Sequence, residues 1–522
     1  MNENLKLCGL SAAAILRYLK RFDEIGGENH GMIVIKDGKK VFERYCYPYT
    51  SDMPHTMFSV TKCLVSTAVG FAIDEKRLRL DDKILPYFKD YPHKESKEWD
   101  EMTVEKLLLM RSNKKFSFLQ DMTDDHTAIF MRNPFRRKKD FFYSNNDAHV
   151  LAHLVEKVTG ERLVDYLTPR LFEPLGIEKP FWETNALGVC VGGSGAYLTC
   201  DDLSKIALCY LDGGKYGGKQ VIPAFWAEAV AKKQTSPSKN WAADGFSYYF
   251  WLEKNGSYRL EGLFGQFGVI IPEKKTVIAV IGAHVSDALI AKTINDYLVK
   301  DIFLNEDGQK ELEAYLEERD KRLLPRVAER NIQKEVVSSG KVYKRKGCVV
   351  EIAKAMTRFS NGLIPNSISS SFAKRPKDSI DDLSFTFTDD RARITWREEN
   401  EFVAFDCGIA GKPFITDVTL QGNVYHVWSW GYWKKNDFHV VVRPLNTVAE
   451  KEFIFCFGNK KLSMKTKCNP DFRDFVVANS IASGVFPDLP VVTPVLVGLL
   501  KTGLIVTALP VRYELKGVST RN

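Results

Sequence analysis

The sequence predicts an α+β fold: an antiparallel sheet flanked by helices, with a helical insertion in its middle, followed by a separate C-terminal all-β domain. Three observations carry this. Strand-like runs stand at both ends of the first 310 residues, with helical runs between them. A charged helical stretch, Glu311 to Arg322, comes next. Beyond about residue 345, aromatic and β-branched runs alternate with turns and helix signals nearly vanish. The chain therefore divides into a first domain (1–310), a helical connector (311–344), a β-barrel or sandwich (345–470) and an unassigned tail (471–522).

Within the first domain, Gly31 to Ile35 and Val41 to Tyr45 read as strands joined at Asp37-Gly38, a dipeptide that supplies the positive φ of a hairpin turn. A nearly all-apolar helix follows, carrying Val60, Leu64, Val65, Ala68, Val69, Ala72 and Ile73; apolar on several sides, it belongs inside the fold. Helices are expected over Thr103 to Met110, Asp147 to Thr159 and Leu163 to Leu171. Strands return at Tyr248 to Leu252, Tyr258 to Leu260, Phe267 to Ile271 and Val277 to Gly282, and a helix over Ile290 to Phe303 closes the domain. The later β domain is read from Leu383 to Thr388, Ala392 to Trp396, Val403 to Asp406, Val424 to Trp430, Phe438 to Val442 and Phe453 to Cys456.

Composition narrows the function. With 44% hydrophobic and 27% charged residues the chain has the balance of a folded globular protein. A net charge of +8, from 74 basic and 66 acidic residues, is too mild to imply a nucleic-acid partner. The densest basic cluster, Arg132, Arg136, Arg137, Lys138 and Lys139, reads as a solvated loop. Ten cysteines without CxxC pairs suggest reduced thiols in a cytoplasmic protein, not a disulfide framework or zinc site, and no metal or cofactor is called for. Met1 to Phe22 reads as an amphipathic helix: its apolar patch, Leu10 to Leu16, is too short for a signal peptide. Val491 to Val511 is mostly apolar but broken by Pro494, Lys501 and Pro510, so no membrane association is expected.

Three motifs carry chemistry. Phe58-Ser59-Val60-Thr61-Lys62 sits where an extended segment meets the buried helix. Ser59 and Lys62, three apart, share one helix face, and burial disfavours the charged lysine, which lets its amine assist the serine as nucleophile. Tyr143-Ser144-Asn145 precedes the next helix; a phenol there can move a proton and Asn145 can hold a substrate carbonyl, although such a run also serves as a simple helix-capping turn. Glu261-Gly262-Leu263-Phe264-Gly265-Gln266-Phe267 enters a strand, where Gly265 and the N–H near Gln266 are candidates for an oxyanion hole with the Ser59 N–H; glycines of a plain hairpin would look the same.

Together, in this order, the motifs resemble the serine β-lactamase and penicillin-binding-protein superfamily, specifically its class C β-lactamase-related, esterase-like branch, marked by Ser-x-x-Lys, Tyr-x-Asn and a Lys/His-x-Gly strand. The connecting text is similar too: Pro54-His55-Thr56-Met57 before the nucleophile, Arg170-Leu171-Phe172-Glu173-Pro174-Leu175-Gly176-Ile177, and Gly192-Gly193-Ser194-Gly195. The resemblance covers about residues 10 to 305. It implies a serine esterase or amidase working through an acyl-enzyme on Ser59, with Lys62 and Tyr143 moving the proton. A small-molecule or peptide-like acyl compound is the implied substrate, and a homo-oligomer is left open. Two departures stand out. Leu263-Phe264-Gly265 lacks the basic residue that holds the substrate carboxylate in β-lactamases, which counts against a D-amino-acid peptidase or weak β-lactamase. Arg111-Ser112-Asn113-Lys114 replaces the Ser-Gly-His turn of many relatives. A catalytically idle binding protein is the remaining alternative.

Overall fold

The computed structural model describes residues 4–114, 125–136, 140–304 apart from 186 and 238–242, 306–345 apart from 323, 326 and 328, 362–364, 380–398, 401–469 apart from 421, and 511–515. Arg137, Lys138 and Lys139 of the basic cluster, and the apolar run from 491 as far as 510, lie outside the described residues. The chain forms two compact units, the first running from Met1 to Leu316 and the second beginning at Glu317.

The first unit opens with α1 (Ala12–Glu24), capped by the Ser11 hydroxyl, which accepts from the Ala14 N–H. The hairpin β1 (Glu28–Lys36) and β2 (Lys39–Tyr45) follows, then the two-residue strand β3 (His55–Thr56) and α2 (Val60–Asp74). Helices α3 (Val104–Leu108), α4 (His126–Arg132), α5 (Asn145–Thr159) and α6 (Leu163–Leu167) come next. Beyond them, β4 (Tyr197–Leu198) pairs back onto β3. Helix α7 (Cys200–Leu211) is set by a capping box in which Thr199 and Asp202 exchange side-chain-to-backbone bonds. A small ribbon, β5 (Lys215–Tyr216) with β6 (Lys219–Gln220), leads to α8 (Ala224–Val230). The unit's remaining strands are β7 (Gly245–Ser247), β8 (Phe250–Leu252), β9 (Tyr258–Gly262), β10 (Gln266–Ile271) and β11 (Thr276–Ala283), and α9 (Asp287–Thr293) follows.

These strands build one seven-stranded antiparallel sheet in the order β2-β1-β11-β10-β9-β8-β7. The first hairpin and the last strands meet at its centre, where β1 pairs with β11. Alternation then sorts the side chains by face. Met32, Val34, Phe267, Val269, Ile278 and Val280 pack with α1 and α9, whereas Ile33, Ile35, Val277, Ala279 and Ile281 face the helical layer that contains α2 and α5. Helix α2 is buried without interruption from Val60 to Ala72, which is why its sequence shows no polar stripe. A Cβ at Gly70 would stand 2.5 Å from the Trp226 ring, so glycine is what lets α8 lie against this helix.

The helix α10 (Gln309–Arg322) spans the boundary between the units, and α11 (Ile332–Ser338) follows it. The second unit is then all β: β12 (Val342–Arg345), β13 (Asp381–Phe387), β14 (Arg391–Glu398), β15 (Glu401–Gly408), β16 (Phe414–Leu420), β17 (Asn423–Lys434), β18 (Asp437–Pro444), β19 (Glu450–Phe457), β20 (Lys461–Asn469) and β21 (Val511–Leu515). They form a ten-stranded sheet in which β21 lies between β12 and β20. The sheet curls until β15 meets β17 at Gly408 and Trp430, making a barrel around Trp396, Phe405, Phe453 and Phe455. No helix among the described residues is long and apolar enough to cross a membrane.

Candidate active site

Ser59 is the residue before α2, reached through a strained turn. Phe58 has a left-handed φ of 45°, unfavourable for a bulky residue, and its buried ring packs 5.2 Å from that of Phe264, itself at φ 64°. The turn is held by Met57, whose N–H donates to the Ala196 carbonyl at 2.9 Å and whose carbonyl accepts from the Val60 N–H at 3.1 Å.

Lys62, one helical turn into α2, is 1% exposed. Its Nζ lies 2.8 Å from Ser59 Oγ and donates to the Gly193 carbonyl at 2.7 Å. With no carboxylate bonded to it among the described residues, burial wins and lowers the amine to about 7, so the neutral form is accessible near neutrality. Tyr143, just ahead of α5, hydrogen-bonds Ser59, lies under Lys62 Nζ (4.9 Å to the ring centroid) and stacks on Trp251 at 5.7 Å. Burial pushes its phenol far above the usual value, and Glu261, Cys63 and Asp287 push in the same direction. The phenol is therefore a proton donor at ordinary pH.

Asn145 is exposed at the start of α5, and a Cβ at Gly193 would stand 3.0 Å from Asn145 Cβ; the site thus has a polar amide at its rim. Gly262 ends β9 against the turn before Ser59, where a Cβ would collide with the Met57 carbonyl oxygen. Gly265, at φ 114°, makes the turn into β10. Gln266 is fully buried; its Nε2 donates to the Leu263 and Gly282 carbonyls at 3.1 and 2.9 Å, so this side chain braces the turn and the sheet. Ser59, Lys62 and Tyr143 thus share one contact cluster, while Gly265 and the Gln266 side chain are turned towards β11. Arg259, the nearest basic residue on β9, is buried in ion pairs with Glu253 and Glu261.

The Gly193 carbonyl has no counterpart in the motif reading. A Cβ at Gly192 would meet the Ala148 carbonyl oxygen at 2.5 Å, so consecutive glycines let this strand of backbone slip between α5 and the lysine. The only signal for it in the sequence is the Gly192-Gly193-Ser194-Gly195 run itself.

The comparisons with known proteins concern this same unit. The chain is 26% identical over 223 residues to a 6-aminohexanoate-dimer hydrolase of Paenarthrobacter ureafaciens, an alignment that covers 38% of this chain and spans only 56% of the relative's length. Among solved structures, EstCE1, a hydrolase with promiscuous acyltransferase activity, aligns at 14% identity and a TM-score of 0.45, covering 55% of this chain and 99% of that one. A penicillin-binding-protein homologue from Caulobacter crescentus aligns at 14% identity and a TM-score of 0.43, over 54% and 95%. The beta-lactamase family model matches residues 20–289, just over half of the 522, and takes in Ser59, Lys62, Tyr143 and the sheet around them: the chain belongs to the beta-lactamase family.

Proposed function

We propose that the protein is a serine hydrolase, an esterase or amidase, that acylates Ser59 and then hydrolyses the acyl-enzyme. The observation that carries this reading is the buried Lys62 amine, 2.8 Å from Ser59 Oγ and lowered to about 7. Neutral Lys62 takes the Ser59 proton as the hydroxyl attacks the acyl carbonyl. Tyr143, kept as a phenol, donates to the leaving oxygen of an ester or nitrogen of an amide and regains its proton from the Lys62 ammonium. Water then attacks the acyl carbonyl and gives its proton to neutral Lys62, and the acid leaves as Ser59 Oγ recovers that proton. The Ser59 N–H and an N–H of the Gly262–Gln266 turn would share the oxyanion, with Asn145 on the substrate carbonyl. The substrate is a small-molecule or peptide-like acyl compound. Linear amides belong among the candidates because of the 6-aminohexanoate-dimer relative.

The test is covalent labelling with a fluorophosphonate probe, read by intact mass and peptide mapping. One adduct on Ser59 is expected in the wild type and none in Ser59→Ala. An unlabelled wild type would sink the reading in favour of a catalytically idle protein. A panel of p-nitrophenyl esters, linear amides, D-Ala peptides and nitrocefin on the same preparation then ranks the substrates.

A further inference from the structure

Behind Tyr143 lies a cluster that the reaction does not use directly. After α3 the chain turns through Met110 and Asn113, both left-handed (φ 55° and 56°) and neither a glycine. Groups of this turn grip the Tyr143 segment. The Phe142 N–H donates to the Met110 carbonyl at 2.9 Å, and the Ser144 N–H to Met110 Sδ at 3.2 Å, so Tyr143 is tethered on both sides to one residue. Ser112 Oγ donates to Asp147 Oδ1 at 2.8 Å, and the Asp147 N–H donates to Ser144 Oγ at 3.3 Å, the cap that starts α5.

Asp147 is fully buried, and its Oδ2 makes no hydrogen bond among the described residues. Leaving a carboxyl oxygen in this state costs stability, so the residue is kept against a folding penalty. The nearby amine acts on it only through its charge: Lys114 Nζ donates to the Asn133 carbonyl at 3.0 Å and sits over the Trp99 and Phe135 rings at 3.7 and 3.9 Å.

We propose that the Ser112–Asp147 hydrogen bond is a positioning device: it locks the α5 cap so that Tyr143 stays against Ser59 and Lys62, and it sets the acyl-transfer rate without touching substrate. This rests on Ser59 being the nucleophile. Hydrogen-bond geometry at a reacting group is steep, so a displacement of about 1 Å at Tyr143 costs on the order of 100-fold.

A double-mutant cycle with Tyr143→Phe tests it, reading kcat and KM for a p-nitrophenyl ester, the fluorophosphonate labelling rate at Ser59, and Tm. Ser112→Ala is expected to lower kcat at least about 10-fold with KM within about twofold, and Ser112→Thr, which keeps the hydroxyl, to restore most of it. In the Tyr143→Phe background Ser112→Ala should cost little more, because the group it positions is gone. Independent, multiplying effects of the two substitutions, or a fall in Tm with kcat intact, overturn the proposal. Asp147→Asn and Asp147→Ala approach the bond from its other end and serve if Ser112→Ala does not fold: the amide keeps an acceptor for Ser112 and should keep the coupling, and alanine should lose it. Equal coupling in both would again overturn the proposal. A wild type that the probe never labels removes the nucleophile, and the proposal falls with it; labelling that is normal and insensitive to Ser112 removes the positioning device alone.

Discussion

At Lys62 the amine must shed its proton before it can serve as a base, and burial brings that event to about 7. The rate of Ser59 acylation should therefore rise with pH through about 7 and level off above it, as a pH series of probe labelling rates would show. Lys62→Arg should abolish labelling at every pH, since a guanidinium keeps its proton. The same shift has a sign in stability. The folded amine lies below its unfolded value of 10.5, so the unfolded chain binds the extra proton between about 7 and 10.5. The cost of burying the charge is full below about 7 and is relieved as pH rises. Lys62→Met should thus be inactive yet melt several degrees higher at pH 7, with the gap narrowing towards pH 10 in calorimetry. The pairing of Ser59 with Lys62 was legible in the sequence because three residues on a helix is one face. The Gly193 carbonyl was not, because a backbone oxygen brought from 131 positions away leaves no residue-type signal. Leu263 makes a further prediction at this scale. A charge-assisted contact to a substrate carboxylate is worth about 1.5–3 kcal/mol, and Arg259 is committed to Glu253 and Glu261. A neutral short-chain ester should therefore beat nitrocefin in kcat/KM on the same preparation, and Leu263→Lys should narrow the gap. Equal turnover by the wild type would contradict it.

At the scale of elements, the site depends on close approaches that only glycine permits. The end of β9 touches the Met57 carbonyl through Gly262, so Gly262→Ala must push the strand or the nucleophile turn aside. Overpacking of this kind costs about 1–3 kcal/mol. Its larger effect is expected in kcat, a loss on the order of 100-fold with the fold retained, to be checked by kinetics beside circular dichroism. Elements with strong period or capping were readable: β1, β2, α2, α5 and β10 fall within a few residues of expectation because their apolar positions repeat at 2 or resist any polar face. Others left weaker traces. Strand β16 (Phe414–Leu420) alternates exposed Ile415, Asp417 and Thr419 with half-buried Phe414 and Thr416, and β20 carries Lys461, Lys465 and Lys467, so neither offers an apolar run. Helix α7 was not read as a helix, although Thr199 and Asp202 form its capping box.

For the whole molecule, two units with separate cores should unfold separately. Calorimetry is expected to show two transitions, and Ser59 labelling should vanish with only one of them; a single transition that removes both would show the units to be coupled. The β-rich character of the second unit was plain from its aromatic runs. Its ring order was not, because β12 and β20 do not pair with each other: residues 511–515 come between them, from more than forty positions beyond β20. That wedge strand has a consequence for how the protein is made. During synthesis every other strand of the barrel leaves the ribosome first, and until Leu515 emerges β12 and β20 each present an open edge able to pair with a neighbouring chain. The first unit can finish folding during that interval and the barrel cannot. The vulnerable interval in this protein's synthesis therefore lasts until β21 has emerged, and chaperone demand should track the second unit, not the first.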